Sequence, residues 1–340
     1  MKTYGKIAKT CLLFGLTVLL SCQGDRDTLQ MRYPGYFPEP EYFFGNNVLT
    51  SEGFVLGKKL FYDPILSKDS TVSCASCHAQ EHAFADHGTA LSVGIGGKMG
   101  SRNSPAIVNA AWQTSFMWDG GINHIEIMSF APITNEVEMA EDMNHIIQKL
   151  SRNEKYKNSF QAVFGKPKIE SQQVFYALTQ YMAMLISDDS KYDRVKKGKS
   201  AYNEEESAGY SLFIQKCATC HPEPLFTDYS FRNTGIGSKS NDTGRYKITL
   251  DDRDVYKFKV PSLRNVALTY PYMHDGSIRN LRSVLDYYSD GIRESDLLDP
   301  TLYKNGRPGI FLTEDEKDKL LSFLNTLTDF TFTTNPLFAE

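Results

Sequence analysis

The chain has 340 residues, 41% of them hydrophobic, a length that allows two compact domains of ordinary size. Its 37 basic and 41 acidic side chains give a net charge of −4, which lacks the strongly cationic field of nucleic-acid-binding proteins. The one short basic run, residues 194–199, is typical of a solvated linker. We therefore expect no nucleic-acid partner.

The first 21 residues have the pattern of an export signal. Three lysines precede an apolar stretch, residues 11–20, that is too short to span a bilayer. The stretch ends in Leu-Leu-Ser followed by Cys22, which resembles the lipobox of bacterial lipoproteins, in which the cysteine is acylated. This predicts a signal peptide over residues 1–21 and a periplasmic protein anchored to the outer membrane through Cys22. A plain secretory signal cut elsewhere is the alternative.

Composition divides the remainder of the chain. Residues 22–47 are rich in Pro, Gly, Tyr and charged residues, which predicts a linker between the lipid anchor and the folded body. Polar residues and a glycine interrupt the helical periodicity over residues 187–200. We place a domain boundary there, between an N-terminal domain over residues 48–195 and a C-terminal domain over residues 196–340.

Two copies of one short string are the most informative motif. They are Cys74-Ala75-Ser76-Cys77-His78 and Cys217-Ala218-Thr219-Cys220-His221. In such a C-x-x-C-H string the two thiols bond to the vinyl groups of a haem, and the histidine binds its iron. This predicts two covalently bound c-type haems, with His78 and His221 as axial ligands. Every cysteine after Cys22 then has a bond, so no disulfide is expected.

The segment before each string repeats as well. Gly57-Lys58-Lys59-Leu60-Phe61 precedes the first string, and Gly209-Tyr210-Ser211-Leu212-Phe213 precedes the second. Both lie on short helical patterns that begin after capping residues and have acidic first turns. Residues 79–102 and 226–256 show no period. The predicted fold is mainly α, with two cytochrome-c-like domains that each carry one haem, joined by long irregular loops.

Longer motifs between and after the two strings resemble a known family. They are Phe116-Met117-Trp118-Asp119-Gly120, Ala131-Pro132-Ile133-Thr134-Asn135 with Glu138, Phe258-Lys259-Val260-Pro261-Ser262-Leu263-Arg264-Asn265, and Thr269-Tyr270-Pro271-Tyr272-Met273-His274-Asp275-Gly276. In this order, over about residues 56–291, they resemble the bacterial dihaem cytochrome c peroxidases. The same superfamily contains the dihaem enzyme of methylamine utilisation, which oxidises tryptophans of a partner protein.

The resemblance implies a division of labour between the haems. The haem on His78 would react with hydrogen peroxide, and the haem on His221 would relay electrons to it. Glu138 falls at the position of the family's catalytic acid, although it could instead open a helix beginning near residues 138–142. Trp118 matches the tryptophan that carries electrons between the haems, although a buried core aromatic is the structural alternative.

The resemblance also implies a calcium ion where the two domains meet. The side-chain oxygen of Asn103 and the backbone carbonyls of Thr269 and Pro271 would bind it, with waters completing a shell of oxygen ligands.

The first departure from the family concerns the iron bound by His78. Many of these peroxidases carry a histidine that caps this iron in the loop over residues 92–98, where this chain has Ile95. Because isoleucine cannot bind iron, we expect an open coordination position, unless His82 or His87 takes the place of the missing ligand.

The second departure concerns the iron bound by His221. Fourteen residues after His274, where peroxidases have a methionine ligand, this chain has Tyr288, as the methylamine-utilisation enzyme does. A phenolate ligand would stabilise ferric iron and lower the potential of that haem. Tyr287 and Met273 are rival ligands, and Tyr288 could also be an ordinary residue of an amphipathic helix over residues 284–289.

The leading functional hypothesis is a peroxidase that reduces hydrogen peroxide to water with electrons from a small cytochrome c or a cupredoxin. The alternative is an oxidase that modifies side chains of a partner protein, which Tyr288 and Ile95 favour. A third reading is an electron-transfer cytochrome without catalysis, in which both irons would have two protein ligands. The oligomeric state, including a homodimer, stays open.

Overall fold

Helices dominate the chain, as predicted. The computed structural model describes residues 27–86, 88–237 and 241–340, and the expected signal peptide, Cys22 and His87 lie outside these ranges. Within them, none of the helices combines the length and the apolar character needed to cross a membrane.

Eleven α-helices and four two-residue strands are found in the described ranges. The helices are α1 (Ser51–Tyr62), α2 (Phe130–Thr134), α3 (Met143–Arg152), α4 (Glu154–Phe164), α5 (Ser171–Met182), α6 (Lys191–Lys196), α7 (Glu204–Lys216), α8 (Tyr246–Thr249), α9 (Leu281–Asp286), α10 (Glu314–Asn325) and α11 (Phe330–Thr333). The strands are β1 (Phe231–Arg232), β2 (Phe258–Lys259), β3 (Tyr303–Lys304) and β4 (Arg307–Pro308), paired antiparallel as β1 with β2 and β3 with β4.

Single turns of other helix types lie between these elements. A π-helix, Tyr287–Gly291, continues α9. Turns of 3₁₀ helix are found at Pro64–Leu66, Cys74–Ser76, Gln80–His82, Ile95–Gly97, Ala110–Trp112, Ile125–Ile127, Asp252–Asp254, Val266–Leu268 and Pro300–Leu302. Where the structure describes the long segments predicted to lack periodicity, they contain only short elements, including α8 and β1.

Side-chain caps fix where the helices before the two strings begin. The Thr50 side chain accepts a hydrogen bond from the Gly53 N–H at the start of α1. Asn203 caps α7 in the same way, and Glu206 bonds back to the Asn203 N–H. Both caps satisfy N–H groups that the first helical turn leaves without an intrahelical partner.

Each of these helices crosses a second helix at a glycine. A Cβ atom added to Gly57 of α1 would lie 1.9 Å from the Ala177 carbonyl oxygen of α5. One added to Gly209 of α7 would lie 1.9 Å from the Lys319 carbonyl oxygen of α10. Glycine thus permits a helix contact that no larger residue allows, which explains why both copies of the repeat begin with it.

Two hydrophobic clusters form around these crossings. In the first, Phe61 of α1 packs against Tyr181 of α5 with 5.1 Å between ring centroids. In the second, Phe213 of α7 packs against Phe323 of α10 at 5.0 Å. The repeat therefore corresponds to two structural units with the same helix pair at the centre.

The segment expected to be a linker packs on the body over the part that the structure describes. Within residues 27–47, Phe37 and Tyr42 are buried. The Trp112 indole N–H donates to the Pro38 carbonyl at 2.8 Å, and the Phe37 ring contacts the same indole edge-on. This part of the segment differs from a free tether because its aromatic residues bury apolar surface.

The end of the chain returns to the first cluster. Phe332 and Phe338 are among its buried members, although the sequence placed them in the C-terminal domain. The hydroxyls of Tyr62 and Tyr181 both donate to the Phe338 carbonyl, at 2.8 and 2.7 Å. Helix α11 and the residues after it therefore belong structurally with α1 and α5.

The segment expected to be a polar boundary contains α6 and is partly buried. Asp193 of α6 forms a bidentate ion pair with Arg264, at 2.9 Å for each of two nitrogen–oxygen pairs, and both side chains are almost fully buried. The Tyr36 hydroxyl donates to the same carboxylate at 2.8 Å. Charged residues here connect the two units, which local periodicity could not indicate.

Candidate functional site

The two C-x-x-C-H strings have the same backbone geometry. The His78 N–H donates to the Cys74 carbonyl, and the His221 N–H donates to the Cys217 carbonyl, both at 3.0 Å. None of the four cysteines forms a disulfide. Each string is therefore a tight turn with two free thiols and one imidazole, the donor set that a c-type haem requires.

One carbonyl oxygen orients each imidazole. His78 Nδ1 lies 2.8 Å from the Phe84 oxygen, and His221 Nδ1 lies 3.0 Å from the Phe226 oxygen. Because a carbonyl only accepts, Nδ1 carries the proton and Nε2 is left as the metal-binding atom. Burial lowers the pKa of both histidines, which keeps them in the neutral form that binds a metal. The residues present fit the predicted haems.

Glu138 lies in a turn between α2 and α3, beside the first string. Its Oε1 accepts a hydrogen bond of 2.6 Å from Asn135 Nδ2. The N-cap of α3 is Asp142, so Glu138 does not open that helix. Burial raises the pKa of the Glu138 carboxyl, and the Asn135 hydrogen bond partly offsets this. A carboxyl group with a raised pKa can hold a proton closer to neutral pH.

The loop over residues 92–98 lies on the peptide of Glu138. The Ile95 N–H donates to the Glu138 carbonyl at 2.8 Å, and the Ile95 side chain is buried. Burial raises the pKa of the Cys77 thiol to about 11, with smaller contributions in the same direction from the charges of Asp86 and Glu138. The acid, the loop and the first string are therefore neighbours.

Trp118 connects segments from the two halves of the chain. Its indole N–H donates to the Asn103 carbonyl at 2.8 Å, and its own carbonyl accepts from the Lys259 N–H at 2.7 Å. The Asn103 N–H in turn donates to the His274 carbonyl at 2.8 Å. The indole is only partly buried, so it is held by hydrogen bonds at a junction and not enclosed within a hydrophobic cluster.

Asn103, one of the residues expected to bind calcium, is held in place by hydrogen bonds. Asn103 is buried, and its Nδ2 donates to the Thr89 and Ala90 carbonyls at 3.3 and 3.2 Å, which fixes the amide orientation. Its backbone bond to His274 places it near the loop that contains Thr269 and Pro271. The described residues contain no cluster of three His, Cys, Asp or Glu side chains able to hold a metal. The expected ligand set contains none of these residue types.

Tyr288, one of three candidate ligands for the second haem, lies near the second string. Burial raises the pKa of the Tyr288 phenol, and the charges of Cys220 and Cys217 add to this. Tyr287 points elsewhere, since its hydroxyl donates to the Thr234 carbonyl at 2.8 Å. The amphipathic helix is predicted over residues 284–289, but α9 ends at Asp286. Both tyrosines lie in the π-helix that follows, an element frequent at functional sites.

Sequence reasoning missed an ion-pair network beside Trp118. Arg102 donates to Asp119 at 2.6 Å and to both oxygens of Asp242 at 2.6 and 2.8 Å. Its guanidinium also lies 5.6 Å from the centroid of the Phe258 ring. Asp119 adjoins Trp118 in the sequence and could have been suspected. Asp242 lies 140 residues from Arg102, and no spacing pattern connects them.

Comparison with known proteins agrees with this geometry. The model of the di-haem cytochrome c peroxidase family matches residues 51–201. The methylamine utilization protein MauG of Methylorubrum extorquens is 36% identical over 313 residues, covering 90% of this chain and 86% of that protein. The cytochrome c551 peroxidase of Nitrosomonas europaea is 32% identical over 279 residues, covering 80% of this chain and 79% of that protein.

A solved structure extends the similarity to the fold. It is that of a MauG-like protein associated with microbial copper homeostasis, which is 33% identical to this chain. The TM-score is 0.83, and the match covers 92% of this chain and 99% of that one. Two haem-binding strings with one geometry, sequence relatives matched over most of the chain and a shared fold lead to one conclusion: the chain belongs to the di-haem cytochrome c peroxidase family.

Proposed function

We propose that this protein reduces hydrogen peroxide to water with electrons from a small cytochrome c or a cupredoxin. Thioether bonds at Cys74 and Cys77 attach the haem that His78 binds. The same bonds at Cys217 and Cys220 attach the haem that His221 binds. The observation that carries the proposal is the position of Glu138 beside the first string, under a loop whose buried residue, Ile95, has no atom that can bind iron.

The reaction takes up two electrons and two protons for each peroxide, and two molecules of water are formed. When bound, the first haem supplies the iron that binds peroxide, and the second supplies a redox centre for electrons from the donor. Glu138 takes a proton from the nearer peroxide oxygen and returns it to the departing oxygen, which leaves as water. Asn135 holds the carboxyl in place through the bond to Oε1.

Ile95 is proposed to leave the first iron accessible. His82 is engaged elsewhere, because its Nδ1 lies 3.3 Å from the Leu268 carbonyl and its ring contacts Tyr270 edge-on. No residue of the described loop is therefore proposed to cap this iron. Peroxide would meet an open position beside Glu138 without a prior reduction step.

Trp118 and Tyr288 are proposed to act in electron transfer. Trp118 lies at a junction of both halves of the chain, where it would connect the two haem sites. Tyr288 would bind the second iron through its phenolate oxygen, since the positive charge of a ferric ion opposes the effect of burial on the phenol pKa. A low potential at this haem would then follow from its oxygen ligand.

Calcium and membrane attachment complete the proposal. Asn103 would offer its Oδ1 to a calcium ion, because Nδ2 is turned toward the Thr89 and Ala90 carbonyls. Thr269 and Pro271 would add backbone oxygens, and water the rest of the shell. Export by the signal peptide and acylation of Cys22 would hold the protein at the outer membrane, facing periplasmic electron donors.

Replacement of Glu138 tests the catalytic assignment. Glu138→Gln keeps the shape of the side chain and its contact with Asn135, but it cannot exchange a proton. We expect peroxide turnover with a reduced cytochrome donor to fall by roughly 10² to 10⁴-fold. Glu136→Gln changes a neighbouring exposed carboxylate and serves as the matched control. Equal turnover in Glu138→Gln and wild type, at equal haem content, would remove Glu138 from the mechanism.

A protein-modifying oxidase is the second candidate. The position of Tyr288 beside the second string is the observation behind it. Peroxide added without an electron donor distinguishes the two functions. An oxidised state that persists for minutes, and that decays faster when a partner protein is added, favours the oxidase. Rapid decay with fast turnover by a cytochrome donor favours the peroxidase.

A further inference from the structure

Lys259 of β2 holds the peptide of Trp118. Its N–H donates to the Trp118 carbonyl at 2.7 Å, while the residue itself pairs with Phe231 of β1. The indole N–H of Trp118 is fixed from the opposite side by Asn103. Both ends of Trp118 are thus held by hydrogen bonds, and Lys259 supplies one of them.

The side chain of Lys259 bonds to the same loop. Nζ donates to the Ser115 carbonyl at 2.6 Å and to Gln113 Oε1 at 2.7 Å. The ammonium group also lies 5.8 Å from the centroid of the Phe116 ring. One residue from the second half of the chain therefore contacts residues 113–118 through both its backbone and its side chain.

The charge of Lys259 is poorly compensated. The two oxygens that accept from Nζ are neutral, and no carboxylate in the described ranges lies within ion-pair distance of it. The Asp119 carboxylate already pairs with Arg102. Burial lowers the pKa of Lys259 to about 7, with a smaller opposing effect of Asp119. Lys259 can therefore gain or lose its proton near neutral pH.

The other charged groups around this loop have partners of their own. Although burial opposes both charges, the Arg102–Asp242 ion pair raises the pKa of the guanidinium and lowers that of the carboxyl. Burial also lowers the pKa of the His274 imidazole, which stacks on Phe258 at 3.6 Å. Other charged groups of the described residues packed here also have partners. Arg245 donates to the Asp119 carbonyl and lies near Asp254, which pairs with Lys257. Lys247 pairs with Asp242, and Arg232 pairs with Asp228 and Asp299.

We propose that Lys259 is a positioning residue for Trp118 and that its charge sets how readily Trp118 passes an electron between the two haem sites. This inference rests on the proposed role of Trp118. A positive charge beside the loop makes it harder to remove an electron from the indole, and loss of the proton removes that effect. Electron exchange between the sites should be slower when Lys259 is charged and faster when it is neutral.

The test measures the rate at which an electron, placed on the protein by flash photoreduction, redistributes between the two haems of the full dihaem protein. In wild type, we expect this rate to rise about tenfold between pH 5.5 and pH 9, with a midpoint near pH 7. Lys259→Met should hold the rate at the high-pH limit at every pH. Lys259→Arg keeps the charge and should hold it at the low-pH limit.

Lys257→Met is the matched control, because the Lys257 ammonium pairs with Asp254 at 3.1 Å and makes no bond to residues 113–118. It should retain the wild-type profile. A wild-type pH profile in Lys259→Met would overturn the proposal. An equal loss of rate at every pH in both Lys259 variants would also overturn it, because that result indicates a purely structural role. If Lys259→Arg fails to fold, the comparison of Lys259→Met with wild type decides.

No peroxide is used in this measurement, so its result does not depend on the proposed peroxidase activity. Protein that shows the pH profile but consumes no peroxide would remove the peroxidase assignment and keep the role of Lys259. Protein that turns over peroxide but shows no effect of Lys259 substitution would remove the role of Lys259 and keep the peroxidase assignment.

Discussion

The Ile95 N–H donates a hydrogen bond of 2.8 Å to the carbonyl oxygen of Glu138. Ile95 stands where many members of the family have a histidine, and this position is therefore bonded to the backbone of the expected catalytic acid. Gly94 makes this approach possible, because a Cβ atom added there would lie 2.2 Å from the Val137 carbonyl and 2.6 Å from that of Glu138. In the proposed mechanism, access to the first haem site and placement of Glu138 are linked through this contact.

Substitution of Gly94 should disturb both access to the first haem site and the placement of Glu138. In Gly94→Ala the new methyl group must push the loop away from residues 137–138, which displaces the Glu138 carboxyl. We expect roughly 10- to 100-fold lower peroxide turnover, because small misplacements of catalytic groups are costly. Steady-state kinetics with a reduced cytochrome donor measure it. Gly100→Ala is the control, since the nearest atoms to its added Cβ lie at 3.7 Å or more. Unchanged turnover in Gly94→Ala would show that the contact is dispensable.

The two adjacent tyrosines of the π-helix should behave differently. Tyr288→Phe removes the proposed oxygen ligand, so we expect the midpoint potential of the second haem to rise by about 100 mV or more. Tyr287→Phe removes only the hydrogen bond to Thr234 and should leave the potential almost unchanged. Spectroelectrochemical titration resolves the two haems. A shift of the midpoint potential in Tyr287→Phe alone would instead identify Tyr287 as the ligand.

The two helix crossings predict matched losses of stability. In Gly57→Ala and Gly209→Ala the new methyl group would lie against a backbone carbonyl of the neighbouring helix, beside a well-packed hydrophobic cluster. Overpacking of this kind costs about 2 kcal/mol, so both variants should unfold at lower temperature. Gly35→Ala adds a methyl group with no atom within 4 Å and should unfold like wild type. Wild-type unfolding temperatures in both crossing variants would mean that the helix pairs separate without cost.

The buried pair between Asp193 and Arg264 predicts the effect of acid. Burial alone would raise the pKa of Asp193, but hydrogen bonds and charge from Arg264 hold it below the ordinary value of 3.8. A carboxyl with a lowered pKa stabilises the fold above its unfolded-state pKa, and this contribution is lost as pH falls toward the folded-state value. The pair therefore stabilises the fold at neutral pH and weakens below about pH 4.

Thermal unfolding of Asp193→Asn at several pH values measures this contribution. At pH 7 we expect the variant to be less stable than wild type by about 3 kcal/mol, because Arg264 is left buried without a counter-charge. The difference should narrow between pH 5 and pH 3. Asp189→Asn, at a half-exposed position of the same segment where the carboxylate pairs with Arg194, is the control. A difference that does not change with pH would contradict the ionic role of Asp193.

Long-range contacts account for what the sequence did not predict. The burial of Asp193 depends on Arg264, 71 residues later, and the burial of Phe338 depends on the packing of α1 and α5. Both residues look like ordinary positions in a polar segment and a chain terminus. Their neighbours in space are far away in the chain, so neither periodicity nor composition could reveal them.

The local chemistry, by contrast, could be predicted from the sequence. The spacing of Cys74, Cys77 and His78 puts two thiols and an imidazole on one turn whatever surrounds them, and the same holds for the second string. The repeated glycine of α1 and α7 was visible in the same way, although its reason was not. The hydrogen bond of the Tyr287 hydroxyl to Thr234, the junction around Trp118 and the attachment of Ile95 to Glu138 depend on tertiary structure alone. Each depends on which side chain faces a segment distant in the chain, and packing of the whole molecule settles that orientation.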